Sequence, residues 1–149
     1  MMSNKDNVSI GNSGEYFVAA ELERRGFTVA VPMSNVRDFD ILAIHRETHT
    51  QWAIQVKTTS KKQKDWALSK KNEKLVEKNI VYIFVCLNDM ETPEYHIVPS
   101  AVVAKRISED HKYWLSTLGR NGEKHPDINM RRFKDKENIY LNKWEYLDK

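Results

Sequence analysis

The sequence predicts a mixed α/β layer fold, and three observations carry that prediction. A helical stretch with one apolar stripe opens the chain. Three short strand patterns separated by turn residues follow it. A strongly apolar strand then comes after a polar, lysine-rich interval. Ser9 to Arg25 is expected to form the first helix, with Ser9 or Asn12 as its cap and Gly26 as its stop. Phe27–Val31 alternates like a strand, and Pro32 ends it. Phe39–His45 and Trp52–Thr59 are the second and third strands, joined as a hairpin by the polar Arg46–Gln51. A helix is expected over Ser69–Glu77, then the most apolar strand, Asn79–Leu87, and a short strand at Tyr95–Val98. Ser100 to Glu109 is expected to be helical, with His111–Leu118 as a further helix. Gly119 to Asp127 is a loop, and Asn138–Leu147 is expected to be a helix packed on the domain.

A length of 149 residues suits one domain spanning 1–149, with residues 1–8 as a loose tail and 119–149 as a C-terminal extension. At 40% hydrophobic and 30% charged residues, the composition is that of an ordinary soluble globular protein. The single cysteine, Cys86, excludes an intrachain disulfide, and its apolar surroundings mark it as a small buried hydrophobe. No run approaches the ~18 apolar residues of a membrane span. The first residues show no apolar signal segment, so the cytoplasm is the expected compartment. The five histidines are scattered, without the short spacings of a zinc site.

Charge is unevenly spread. Between Lys57 and Lys78 there are eight lysines and three acids, so this stretch carries +5 while the whole chain carries +3. Such a concentrated positive field can steer a polyanion, although a solvated loop and helix would show the same composition. Trp66, inside this stretch, suits packing better than stacking on a base, and Trp52, Trp114 and Trp144 are assigned to core or interface. Arg131, Arg132, Lys134 and Lys136, interleaved with acids, are expected to be a solvated face.

Four polar residues stand where apolar ones would be expected. Glu15 lies on the stripe made by Val18, Ala19 and Leu22, where a carboxylate loses hydration unless something compensates. A place near the helix N-terminus, helped by the macrodipole, is the alternative account. In the third strand, alternation turns Trp52, Ile54, Val56 and Thr58 one way and Ala53, Gln55, Lys57 and Thr59 the other. Asp40 falls between Phe39 and Ile41, in a strand where aspartate is disfavoured. Hairpin pairing would set it beside Gln55 and Lys57. Asp38 is a rival at the strand entrance. A bound divalent cation would explain all four: Asp40 and Glu15 supply carboxylates, Gln55 an amide oxygen, and Val56 a backbone carbonyl.

The string Arg37-Asp38-Phe39-Asp40-Ile41, then fourteen residues, then Gln55-Val56-Lys57, resembles the PD-(D/E)xK nuclease superfamily. Gly11 to Glu15, ahead of Val18-Ala19 and Gly26-Phe27, is similar to the N-terminal acidic helix of that superfamily's Holliday-junction resolvases. The resemblance covers about Ile10 to Thr59 and extends loosely to Ile80–Leu87. It implies a restriction-endonuclease-like αβββαβ core, with a mixed central sheet flanked by helices and extra C-terminal helices. It also implies magnesium-dependent hydrolysis of phosphodiesters, manganese being a stand-in, with DNA as the expected nucleic acid. Asp40 would be the principal metal ligand, Gln55 the second, Glu15 the helix acid, and Lys57 would orient or activate the attacking water. The lysines 61, 62, 64, 70, 71 and 74 would contact backbone phosphates. Members of this kind often cut as symmetric dimers, so a homodimer is compatible with the reading. The signature proline is replaced by Phe39, and Gln55 stands where an acid is usual. The glutamine removes one negative charge from the metal site, which leaves an inactive nucleic-acid-binding or protein-interaction module as the alternative.

Overall fold

The computed structural model describes residues 4–33 and 39–149, the side chains of 4 and 5 excepted. The first helix, α1 (Asn4–Arg24), starts inside the stretch expected as a tail. It ends at Gly26, whose φ of 97° needs glycine, because a Cβ is strained in that region. Three strands follow: β1 (Phe27–Ala30), β2 (Ile41–His45) and β3 (Gln51–Thr59). They form an antiparallel meander in which Ile41 stands opposite Ile54 and Ala43 opposite Trp52. β4 (Asp65–Ser69) lies outside this sheet; of the strands after it, β5 (Ile80–Cys86) runs parallel to β3, and β6 (Glu94–Pro99) returns antiparallel beside β5. The sheet order is therefore β1-β2-β3-β5-β6. This is the mixed sheet expected from the sequence.

Each face of the sheet is covered by one helix. On one face, Val18 and Leu22 of α1 pack with Ile41, Ile54, Val56, Val81, Ile83 and Ile97, together with Trp144 and Leu147 of a 3-10 turn over Trp144–Leu147. On the other, α2 (Ser100–Ser116) contributes Val103 and Ile107 against Tyr82, Phe84 and Val98. α2 is one continuous helix, not the two expected. Among the described residues, no helix is long and apolar enough to cross a membrane.

The remaining differences from expectation have local causes. The helix expected over Ser69–Glu77 is instead a strand, β4 (Asp65–Ser69), followed by a 3-10 turn at Lys70–Lys74. Asn72, buried in that turn, accepts from the Ser69 N–H and donates to the Tyr82 hydroxyl, so the chain is pinned before a full α-turn forms. β4 pairs antiparallel with β7 (Met130–Lys134), a second sheet that the sequence did not disclose. Trp66 is buried there, its indole donating to the Val85 carbonyl at 3.0 Å, which agrees with the packing assignment. Arg131 is not on a solvated face. It is 4% exposed and bonds Glu73 at 3.1 Å. The helix expected over Asn138–Leu147 does not form either, so the C-terminal extension adds a strand and a 3-10 turn but no α-helix. Asn138 and Asn142 adopt left-handed φ of 59° and 56°, which interrupts an α-helix, and the segment lies along β6 through an Asn142 N–H bond to the Tyr95 carbonyl.

Candidate active site

β2 begins at Ile41, opposite Ile54, while β3 runs on past it to Thr59. The Asp40 N–H donates to the Ile54 carbonyl at 2.8 Å, although Ile54 already faces Ile41, so two residues of one strand oppose one of the other in the manner of a bulge. Beyond this point the next N–H of β3 on that side, Val56, has no strand beside it among the described residues. The Asp40 side chain takes that place: its Oδ2 accepts from the Val56 N–H at 2.8 Å. Within a strand the N–H and C=O of one residue leave on the same side. The Val56 carbonyl is therefore directed past the end of β2 as well.

Glu15 reaches the same place from α1. The helix begins at Asn4, so Glu15 is three turns from its start. A macrodipole that fades within the first turn does not account for it. What brings it in is Gly14. A Cβ there would lie 1.8 Å from Thr58 Oγ1 and 2.8 Å from Thr58 Cβ, so glycine is what allows α1 to touch the end of β3. The Thr58 hydroxyl is buried at that contact and has no hydrogen-bond partner among the described residues. Burial pushes the half-buried Glu15 carboxyl above the ordinary glutamate range, and the negative charge of Asp40 adds to the shift.

Gln55 and Lys57 stand on the opposite face of β3 from the buried Trp52, Ile54 and Val56, as the alternation requires. Gln55 is in register with Tyr82 of β5, and Lys57 with Phe84. Both are half-buried, and so are Leu42 and Ala53 on the same face, where the cover supplied by α2 has ended. The peptide group that Asp40 binds is the one joining Gln55 to Val56. Glu15 and the Gln55–Lys57 pair thus flank Asp40 from the two faces of the sheet. Asp38 lies outside the described residues. Gly14 is the residue of this region that reasoning from sequence passed over. A glycine inside a helix is the signal that marks such a close approach.

Of the lysines, 61, 62, 70, 71 and 74 are at the surface, whereas Lys64 is turned inward. Its ammonium donates to Asn138 Oδ1 at 2.6 Å. Lys62 pairs with Glu91 at 2.8 Å on the surface. Trp52 and Trp144 are core residues, but Trp114 lies nearer the surface, stacked on His125 with ring centroids 4.1 Å apart.

No protein-family model matches the chain, and no curated protein sequence matches it. Solved structures do. The bacterial homing endonuclease I-Ssp6803I aligns over 99% of this chain and 92% of its own, at 14% identity and a TM-score of 0.54. The Holliday junction resolvase Hjc of Archaeoglobus fulgidus aligns over 87% of this chain and 86% of its own, at 16% identity and a TM-score of 0.49.

Proposed function

From the restriction-endonuclease-like fold that this chain has, we propose that it is a metal-dependent nuclease hydrolysing phosphodiester bonds in DNA, with Glu15, Asp40, Gln55 and Lys57 as its site. One observation carries the reading: the Asp40 carboxylate is held by the Val56 N–H where β3 runs on past β2, and Glu15 of α1 is close enough to feel its charge. Two acids in a half-buried place are unfavourable unless a cation offsets them. The donors that these residues would offer at the open edge beside Asp40 are all oxygens, two carboxylates with the Gln55 amide and the Val56 carbonyl, a set that suits magnesium or manganese. The fold likeness to a homing endonuclease supports the same chemistry.

Held by those groups, a divalent cation would supply charge to the scissile phosphate and acidify a water molecule. Every other task belongs to the chain. Asp40 is fixed by the Val56 N–H through one oxygen, which orients the carboxylate. Glu15 supplies the second carboxylate from α1. Lys57, two residues from Gln55 on one face, orients the attacking water and offsets the negative charge that develops on the phosphate. The surface lysines 61, 62, 70, 71 and 74 draw the DNA backbone without reading its bases. Lys64, tied to Asn138, contributes field more than contact.

The test is cleavage of linear, circular, single-stranded and branched DNA with magnesium or manganese, by the wild type beside Lys57→Ala. Metal-dependent cutting that falls by about 10²-fold or more in the variant is expected, as for loss of a group that stabilises transition-state charge. A second reading, an inactive module that binds nucleic acid, draws on Gln55, whose neutral amide leaves the site one charge short. DNA binding with no cutting under either metal would favour that reading.

A further inference from the structure

The β5–β6 hairpin gathers a different set of ligating side chains. Cys86 stands opposite Glu94, and Phe84 opposite His96, so alternation places Cys86, Glu94 and His96 on one face. One ligand atom from each lies within 4.8 Å of the others. Cys86 is on β5, and Glu94 and His96 are on β6, two and three strands from β2, which Asp40 immediately precedes; at about 4.8 Å per strand that is roughly 10 Å or more, so this cluster is separate from Asp40.

The surroundings of His96 point to a ligand. The ring is fully buried, and its Nδ1 bonds Asp135 Oδ2 at 2.6 Å. Asp135, also buried, accepts the Ile139 and Tyr140 N–H groups at 2.9 Å each. Asp135 is already the acceptor for those two N–H groups, so in the neutral ring Nδ1–H donates to Asp135 and the lone pair of the imidazole is on Nε2. Among the described residues, that Nε2 has no hydrogen-bond partner, and Glu94 Oε2 is 3.9 Å from it. An unpaired buried ring nitrogen is costly in either protonation state. A carboxylate fixing the far nitrogen is the arrangement that metal-ligating histidines have.

We propose that Cys86 Sγ, His96 Nε2 and the Glu94 carboxylate form a zinc site, with Asp135 as the positioning residue for His96. A thiolate, an imidazole and a carboxylate suit zinc better than magnesium, and three protein ligands leave a fourth position open. Glu94, partly exposed, gives the ion its way in. On binding, the Cys86 S–H bond breaks, its proton passes to solvent and an S–zinc bond forms. Burial pushes the Cys86 thiol up, a cost that the bound dication would offset. The anionic Cys86, Glu94 and Asp135 would then face the dication and the ammonium of Lys64, which lies 3.9 Å from Glu94. Sequence spacing concealed the set because strand register, not a short C-x-x-C interval, brings it together.

Cobalt(II) is the probe that decides. Cys86 is the only cysteine, so a thiolate-to-cobalt charge-transfer band in the folded protein has a single source. The band should saturate at one equivalent, disappear when zinc is added, and persist in Asp40→Asn. Glu94→Gln, at a partly exposed position, should weaken cobalt binding about tenfold or more. Absence of the band in the wild type, or an affinity that Glu94→Gln leaves unchanged, would overturn the assignment. Neither result bears on the Asp40 site, which lacks sulfur.

Discussion

At the residue scale, the Glu15 carboxyl is the most informative group. Its folded-state pKa is raised, so the folded chain holds the proton more tightly than the unfolded one. Stability from this group is therefore present at pH below its ordinary value and is lost as pH rises through the raised one. Glu15→Gln is expected to raise the melting temperature at neutral pH without metal, and the difference from wild type should shrink as the medium is acidified. Thermal melts of both proteins across pH check this. A constant difference would mean that Asp40 and burial are not the cause. Gln55 gives a complementary expectation. Gln55→Glu adds a carboxylate, so the magnesium concentration for half-maximal cleavage should fall while the metal-free protein melts lower. Paired cleavage titrations and melts test both halves. The four residues of the proposed site stood out in the sequence as polar intrusions on apolar patterns. The Val56 N–H bond to Asp40 did not, because it depends on where β2 stops, which no residue type announces.

At the scale of elements, the contact between α1 and β3 decides whether the site forms. Gly14→Ala would drive a methyl into the β-branched Thr58. Overpacking of this kind costs about 1–3 kcal/mol. At ~2–4 °C per kcal/mol for a chain of this size, the melting temperature should drop by roughly 2–12 °C, with a larger fractional loss of cleavage because Glu15 moves. An unchanged melting temperature in calorimetry would show that the helix can shift freely. The β1-β2-β3 meander and β5 were readable from alternation and apolar runs bounded by turns. β4 and β7 were not. Asp65–Ser69 buries only Trp66 and Leu68 amid lysines, and Met130–Lys134 buries an arginine beside Phe133. Each strand looks polar until the other is beside it. The C-terminal segment failed as a helix for a different reason: its aromatic spacing fits one, but Asn138 and Asn142 turn left-handed.

Across the molecule as a whole, the proposed function assigns the meeting with a polyanion to the lysine-rich stretch. Lys61, Lys70, Lys71 and Lys74 lie at the surface, so replacing all four with alanine should weaken DNA binding and flatten its salt dependence. The slope of log K against log salt should fall by about 0.9 for each phosphate that is no longer neutralised. Filter binding or anisotropy at several salt concentrations measures it, and an unchanged slope would place the DNA elsewhere on the surface. The same variants should leave the melting temperature almost unaltered, since surface substitutions are usually within about ±0.5 kcal/mol.

The proposed activity stands or falls with the carboxylates that converge at the end of β2 and with the cation they would hold. Asp40→Asn isolates their charge, because an amide oxygen can still accept the Val56 N–H and keep the bulge while the charge is gone. The measurement is the single-turnover rate of plasmid cleavage in manganese, wild type against Asp40→Asn, with melting temperatures taken in parallel. Similar melts and cleavage reduced by about 10³-fold or more are expected, in line with loss of a group stabilising transition-state charge. Equal cleavage by two equally folded proteins would contradict the assignment of Asp40 to the metal.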